Sequence, residues 1–292
     1  MRALVCKEYG GLDTLEIQER EAPAPGDGEL LVSVRAAGIN FPDLLTIAGQ
    51  YQVKTSPPFV PGNEAAGVVT AVGPGVTRFK PGDAVICMPT GGAFAEQCVV
   101  HENFAMPMIP GMGFPEAAGF AITYGTSMHA LSQSAALQAG ETLLVLGAAG
   151  GVGTTAVELG KAMGARVIAA ASNAEKLAFA RAAGADEGID YSTTSLRDAV
   201  KELTDGKGVD VVYDPVGDDL ATQALRSLAW HGRYLVIGFA SGEIPSFPAN
   251  LALLKEASIV GVWWGTWAAR HPAEHVNNMT KLAGFVANGT VS

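Results

Sequence analysis

Charge is scarce in this chain, and so is cysteine. Only 16% of its 292 residues are Asp, Glu, Lys or Arg, and the acids outnumber the bases by 29 to 19, for a net charge of −10. That balance repels a phosphate backbone and argues against a nucleic-acid partner. Positive charge for any phosphorylated ligand must therefore be local. The three cysteines, Cys6, Cys87 and Cys98, are odd in number and far apart. They exclude a disulfide framework and a CxxC pair, and they fit a reducing cytoplasm. Each lies in an apolar strand pattern and reads as a small core residue. No apolar run reaches the roughly eighteen residues of a membrane-spanning helix. Met1-Arg2-Ala3-Leu4 enters a strand pattern directly, without the features of a signal peptide. Low-complexity tracts and fixed-period repeats are missing too.

What is present is a chain that is 48% apolar and long enough for two domains. Residues 1–120 read as β-rich, with short apolar runs at Leu30–Val34, Gly67–Val72, Ala84–Met88 and Ala95–Val100. Turn signals separate them, among them Gly73-Pro74-Gly75 and Lys80-Pro81-Gly82-Asp83. From 121 to 284 strand and helix patterns alternate, which predicts a doubly wound parallel sheet. Strands are expected at 142–147, 166–171, 209–214, 233–238 and 258–263. Helices are expected between them, including Thr154–Met163, Ala174–Ala183, Ser195–Leu203 and Asp218–Ala229.

Residues 142–176 carry the most chemistry. The apolar run Thr142–Leu146 leads into Gly147-Ala148-Ala149-Gly150-Gly151-Val152-Gly153, a helical pattern follows, and a second apolar run covers Arg166–Ala171. A glycine-rich turn between a strand and a helix, inside a unit of about thirty residues, points to a dinucleotide site. Glycine lets the backbone approach a pyrophosphate, and the helix N-terminus offers free N–H groups. Ala149, Gly150, Gly151 and Val152 are the residues placed to do this. Without a ligand the same residues would simply make a tight strand-to-helix turn.

The tip of the second strand decides which dinucleotide. An NAD site usually has Asp or Glu there for the ribose 2′-OH. This chain has Ser172-Asn173, its first acid is Glu175, and Lys176 lies one turn into the next helix. A 2′-phosphate would meet a hydroxyl and a cation, which favours NADPH over NADH. Ser172 is also read as the cap of the following helix, a role compatible with phosphate binding.

The chain resembles the zinc-independent medium-chain dehydrogenases/reductases of quinone oxidoreductase (zeta-crystallin-like) type. The resemblance rests on Gly38-Ile39-Asn40-Phe41-Pro42-Asp43, Pro61-Gly62-Asn63-Glu64-Ala65-Ala66-Gly67, Val72-Gly73-Pro74-Gly75-Val76, Lys80-Pro81-Gly82-Asp83-Ala84-Val85, Tyr124-Gly125-Thr126, Gly147–Gly153, Ile189-Asp190-Tyr191 and Asp214-Pro215-Val216-Gly217. It implies an α/β protein with a GroES-like β-rich catalytic domain and a doubly wound Rossmann domain. In that family the chain returns to the first domain after the Rossmann sheet. Here residues 285–292 stand where the return would begin, so a truncated or incomplete first domain is expected. Where zinc-binding relatives carry a Cys and a His, this chain has residues 39–42 and Asn63, neither offering an N or S ligand. Of its five histidines only His271 and His275 have i,i+4 spacing. No metal is expected.

The resemblance also implies a hydride transfer from NADPH to a conjugated carbonyl acceptor. It places Asn40, Tyr51 and Thr126 around the nicotinamide, with Thr126 at a helix start. Asn40 would hold the carboxamide or the substrate, and Tyr51 would donate a proton. Tyr51 is equally read as a loop aromatic, and Asn63 as a turn residue. Tyr191 would lie near the 2′-phosphate and adenine, or simply pack. The backbone of Gly238, Phe239, Ala240 and Ser241 would flank the nicotinamide. Trp263, Trp264 and Trp267 read first as core or interface, and Ser258–Trp264 as an edge strand joining a homodimer. Three functions stay open: a quinone or small-enone reductase, an enoyl-thioester reductase, and a nucleotide-binding crystallin-like protein without turnover.

Overall fold

The computed structural model describes residues 1–291 and divides the chain into two compact units, Met1–Ile122 and the residues from Thr123 onward. Period-two alternation builds the first unit. In Glu29–Ala37, Leu30 and Val32 are fully buried while Leu31 and Ser33 turn away. The strands are β1 (Arg2–Cys6), β2 (Leu15–Glu19), β3 (Glu29–Ala37), β4 (Ala65–Val72), β5 (Ala84–Cys87), β6 (Gln97–His101) and β7 (Ala105–Pro107), with short helices α1 (Phe41–Ile47) and α2 (Phe114–Ala118). β1 and β2 form an antiparallel hairpin. The other five form one antiparallel sheet in the order β6-β3-β4-β5-β7, closed over Leu30, Val32, Val69, Val85 and Val100. All three cysteines lie buried in strands, as small core residues.

The second unit follows from continuous apolar runs rather than alternation, the pattern of strands covered on both faces. Leu143, Leu144, Val145 and Leu146 are all 0% exposed. The elements are α3 (Ala121–His129), β8 (Thr142–Leu146), α4 (Gly151–Ala162), β9 (Arg166–Ala171), α5 (Ala174–Ala182), β10 (Glu187–Asp190), α6 (Leu196–Leu203), β11 (Val209–Asp214), α7 (Asp218–Arg226), β12 (Leu228–Val236), α8 (Ala249–Leu253), β13 (Ser258–Gly261), α9 (Trp264–Arg270) and α10 (Pro272–Ala287). The six strands are all parallel, in the order β10-β9-β8-β11-β12-β13. This is the doubly wound sheet expected from the strand–helix alternation.

Four local expectations are corrected. α4 begins at Gly151, three residues before the expected Thr154, because the glycine turn itself enters helical geometry. Ser172 does not cap α5: Asn173 does, accepting from the Lys176 N–H at 2.9 Å. Thr126 is not at a helix start but in the second turn of α3, since helix geometry already begins at Ala121. The last strand ends at Gly261, and Trp264 opens α9 instead of closing the sheet edge. Of the tryptophans, Trp264 is buried where a Cβ on Gly125 would meet its ring, and Trp267 stacks on His129 at 4.2 Å. Trp263 is 53% exposed. Among the described residues no helix is long and apolar enough to cross a membrane.

Candidate active site

In the second unit the carboxyl ends of parallel strands carry the candidate residues, as open α/β sheets dictate. β8 runs into Gly147, whose φ of +58° lies in the left-handed region that glycine tolerates best. The Gly150 N–H donates to the Gly147 carbonyl at 2.9 Å, and Gly150 then caps α4. Gly153 is the tightest point, since a Cβ there would lie 2.2 Å from the Gly147 oxygen. Only glycine lets the first turn of α4 press against the end of β8. The N–H groups of Gly151 and Val152 open a twelve-residue helix and have no earlier turn to bond to. A buried polar network holds this helix start. The Ser127 hydroxyl is 2.8 Å from both Tyr213 Oη and Thr155 Oγ1 and donates to the Val152 carbonyl at 3.1 Å. Thr126 is half-buried on the same helix as Ser127.

At the tip of β9, Ser172 and Lys176 come together: Lys176 Nζ donates to Ser172 Oγ at 2.9 Å. β10 lies beside β9, and the Asp190 carboxylate at its end accepts from the N–H and hydroxyl of Ser192. Tyr191 follows at once and packs its ring on the core. The segment Gly238–Ser241 follows β12. Its N–H groups at Ala240 and Ser241 donate to the carbonyls of Pro215 and Val216 at 3.0 and 3.1 Å.

In the first unit, Asn40 caps α1, and its side chain donates to Glu64 Oε2 at 3.0 Å. The Asn40 N–H donates to Asp43 Oδ2 at 2.8 Å, and Asn63 Nδ2 donates to Asp43 Oδ1 at 2.9 Å. Glu64 Oε1 accepts from the Ile122 N–H at 2.8 Å. Asn63 is thus tied to α1 by a hydrogen bond, more than a turn residue alone requires. Glu64 is 0% and Asp43 1% exposed, and burial raises both pKa values, that of Glu64 to about 7. Tyr51 is half-buried in the bend after α1, and its N–H donates to the Leu45 carbonyl. Tyr9 holds this bend, bonding the Thr55 carbonyl at 2.9 Å and lying where a Cβ on Gly49 would clash.

Pattern reasoning missed the two buried acids. Asp43 and Glu64 each interrupt an otherwise uncharged stretch, which is the signal that marks them. Among the described residues no group of three or more His, Cys, Asp or Glu is placed to hold a metal ion.

Comparison with known proteins agrees with this architecture. Residues 26–121 match the alcohol dehydrogenase GroES-like domain, and residues 151–282 match the zinc-binding dehydrogenase domain. The chain belongs to the quinone oxidoreductase family of medium-chain dehydrogenases/reductases, which are oxidoreductases. It is 40% identical over 291 residues to the quinone oxidoreductase-like protein 2 homolog of Nematostella vectensis, covering 99% of this chain and 79% of that one. The Pseudomonas syringae pv. Tomato DC3000 quinone oxidoreductase superposes with a TM-score of 0.94 at 34% identity, covering 100% of this chain and 90% of the other. The Escherichia coli quinone oxidoreductase complexed with NADPH superposes with a TM-score of 0.92 at 29% identity, with the same coverage.

Proposed function

We propose that this protein is an NADPH-dependent reductase that delivers hydride to a conjugated carbonyl acceptor, a quinone or small enone. The observation that carries the reading is the β8–glycine turn–α4 unit followed by a Ser172–Lys176 pair at the tip of β9, where an NAD site would carry an acid. The residues fit the cofactor: a side chain on Gly153 would displace the backbone that must approach the pyrophosphate, and none is there. When bound, NADPH supplies the hydride.

The chain's own residues bind and orient. Ala149, Gly150, Gly151 and Val152 present backbone to the pyrophosphate at the start of α4. Ser172 and Lys176 hold the 2′-phosphate, with Tyr191 beside the adenine end. Gly238, Phe239, Ala240, Ser241 and Thr126 position the nicotinamide end. Asn40 holds a carboxamide or acceptor group. Its amide already donates one hydrogen bond to Glu64, which fixes the orientation of the side chain. Reduction of a conjugated acceptor places negative charge on a distant oxygen, which a positioned donor stabilises; Tyr51 is that donor. The positions where zinc-binding relatives hold metal carry Asn63 and residues 39–42, so no metal takes part in this reading.

The Gly49-Gln50-Tyr51 segment favours a second reading, an enoyl-thioester reductase in which Tyr51 protonates the α-carbon. Following NADPH absorbance against a panel of quinones, enones and enoyl-CoAs decides between them. NADPH binding with no turnover on any acceptor would favour a nucleotide-binding, crystallin-like role. We further propose a cytoplasmic homodimer joined along β13, where the exposed edge residue Ile259 invites pairing with a second copy. We keep residues 1–120 as the substrate domain and 121–284 as the cofactor domain.

A further inference from the structure

Asp214 ends the central strand β11 and is 2% exposed. A buried carboxylate is costly unless its oxygens are satisfied. Here they are, by partners that all serve one purpose. Oδ1 accepts from the N–H groups of Val216 at 2.7 Å and Gly217 at 3.0 Å, folding the chain back into a turn. Oδ2 accepts from the Tyr234 hydroxyl, which fixes the carboxylate plane from the neighbouring strand β12. The Asp214 carbonyl accepts from the Ile237 N–H at 2.9 Å as the chain leaves β12.

The turn so made is a clasp. The carbonyls of Pro215 and Val216 receive the Ala240 and Ser241 N–H groups, and the Glu243 carbonyl receives the Asp218 N–H at 3.4 Å. Gly217 at φ +78° and Asp218 at φ +62° hold left-handed backbone, a strained state for Asp218 that needs support from its surroundings. A Cβ on Gly217 would lie 2.8 Å from the Glu243 oxygen. On its other side the turn meets the cofactor loop: a Cβ on Gly147 would lie 3.0 Å from Val216 Cγ2 and 3.5 Å from Pro215 Cγ.

We infer that Asp214 is a positioning residue for the nicotinamide half of the dinucleotide, acting through the 215–217 turn to hold segment 238–241 at the sheet end beside Gly147. The inference rests on the NADPH reading proposed above. Asp214 need not touch the ligand. The Ser172–Lys176 pair lies beyond the tip of β9, which β8 separates from β11, so the adenine half is held independently of the clasp.

The test measures dissociation constants of NADPH and of adenosine 2′,5′-bisphosphate by calorimetry on the full chain. Asp214→Ala is expected to weaken NADPH about tenfold or more, while the bisphosphate stays within about twofold. Asp214→Asn keeps an acceptor oxygen for Val216 and Gly217 and should restore most of the loss. Equal weakening of both ligands, or of neither, overturns the inference. If Asp214→Ala fails to fold, Gly217→Ala keeps the carboxylate but pushes the turn away from Glu243. The same split is expected there, and unchanged NADPH affinity overturns the inference. Wild-type protein binding neither ligand overturns the cofactor reading itself and the inference with it, a result distinct from the others.

Discussion

Replacing Glu64 by Gln should remove the fall in stability with rising pH that this one carboxyl contributes between pH 5 and 8. The Glu64 carboxyl is fully buried, and burial raises its pKa from 4.5 to about 7 against the opposing hydrogen bonds from Ile122 and Asn40. The folded state therefore holds this proton more tightly than the unfolded chain does. Its stabilising contribution is complete below pH 4.5, declines as pH rises, and is lost above about 7. Linkage converts that span into roughly 2–3 kcal/mol lost between pH 5 and 8. Asp43 and Asp214 are raised in the same sense, while burial lowers His129 and His275, whose contributions grow as pH rises; these groups are common to wild type and variant and cancel in the difference between them. The carboxylates Glu16, Asp83, Glu96, Glu141 and Asp186 are lowered, so their contributions are already complete at pH 5. The amide introduced by Glu64→Gln keeps an oxygen for the Ile122 N–H, and its NH2 group can face Asn40 once Asn40 turns its own oxygen inward. Urea unfolding of both proteins across this range gives the difference directly. The variant should match wild type near pH 5 and exceed it by roughly 2–3 kcal/mol at pH 8. A difference that stays constant with pH, or that favours wild type as pH rises, would refute the reasoning.

Other consequences are open to equally direct measurement. NADPH should bind at least about tenfold tighter than NADH, roughly 1.4 kcal/mol, and Lys176→Ala should erase most of that preference; equal dissociation constants by calorimetry would rule it out. Elemental analysis should find less than one metal per chain, and a chelator should leave turnover unchanged; stoichiometric zinc would reverse the assignment of Asn63 and residues 39–42 as non-ligands. Sedimentation at micromolar concentration should show a dimer, and a monomer there would count against pairing through β13. Tyr51→Phe should lower kcat by a factor of order 10² on an enoyl thioester and cost little on a quinone, with NADPH binding kept. An unchanged rate on every active acceptor would remove Tyr51 from the proton path.

The fold was legible in the sequence where local chemistry dictates geometry. The runs Thr142–Leu146, Arg166–Ala171 and Val209–Asp214 are continuous, apolar and short, and β8, β9 and β11 follow them closely. The glycine-rich turn at 147–153 was visible without coordinates, and the structure gives the reason at two positions: Gly147 takes a φ of +58°, and a Cβ on Gly153 would lie 2.2 Å from the Gly147 oxygen. Scarce charge at the tip of β9 was equally plain, since it depends only on which residues follow the strand. Helix starts were less legible. Thr126 and Gly151 fall inside helices rather than ahead of them, since α3 already begins at Ala121 and the glycine turn itself enters helical geometry at the start of α4.

Only the tertiary structure decided which acids are buried and what they hold. In the sequence Asp43 and Glu64 stand out only as isolated charges and Asp214 only closes an apolar run; which groups they would bond was not readable there. Folding brings Asn40 and Asn63, twenty-three positions apart, onto the two acids, and sets Tyr234 on Asp214 across neighbouring strands. Strand and helix periods are local, so sequence carries them. Burial, hydrogen-bond pairing and the pKa values that follow depend on contacts between distant segments, and these exist only once the chain has folded.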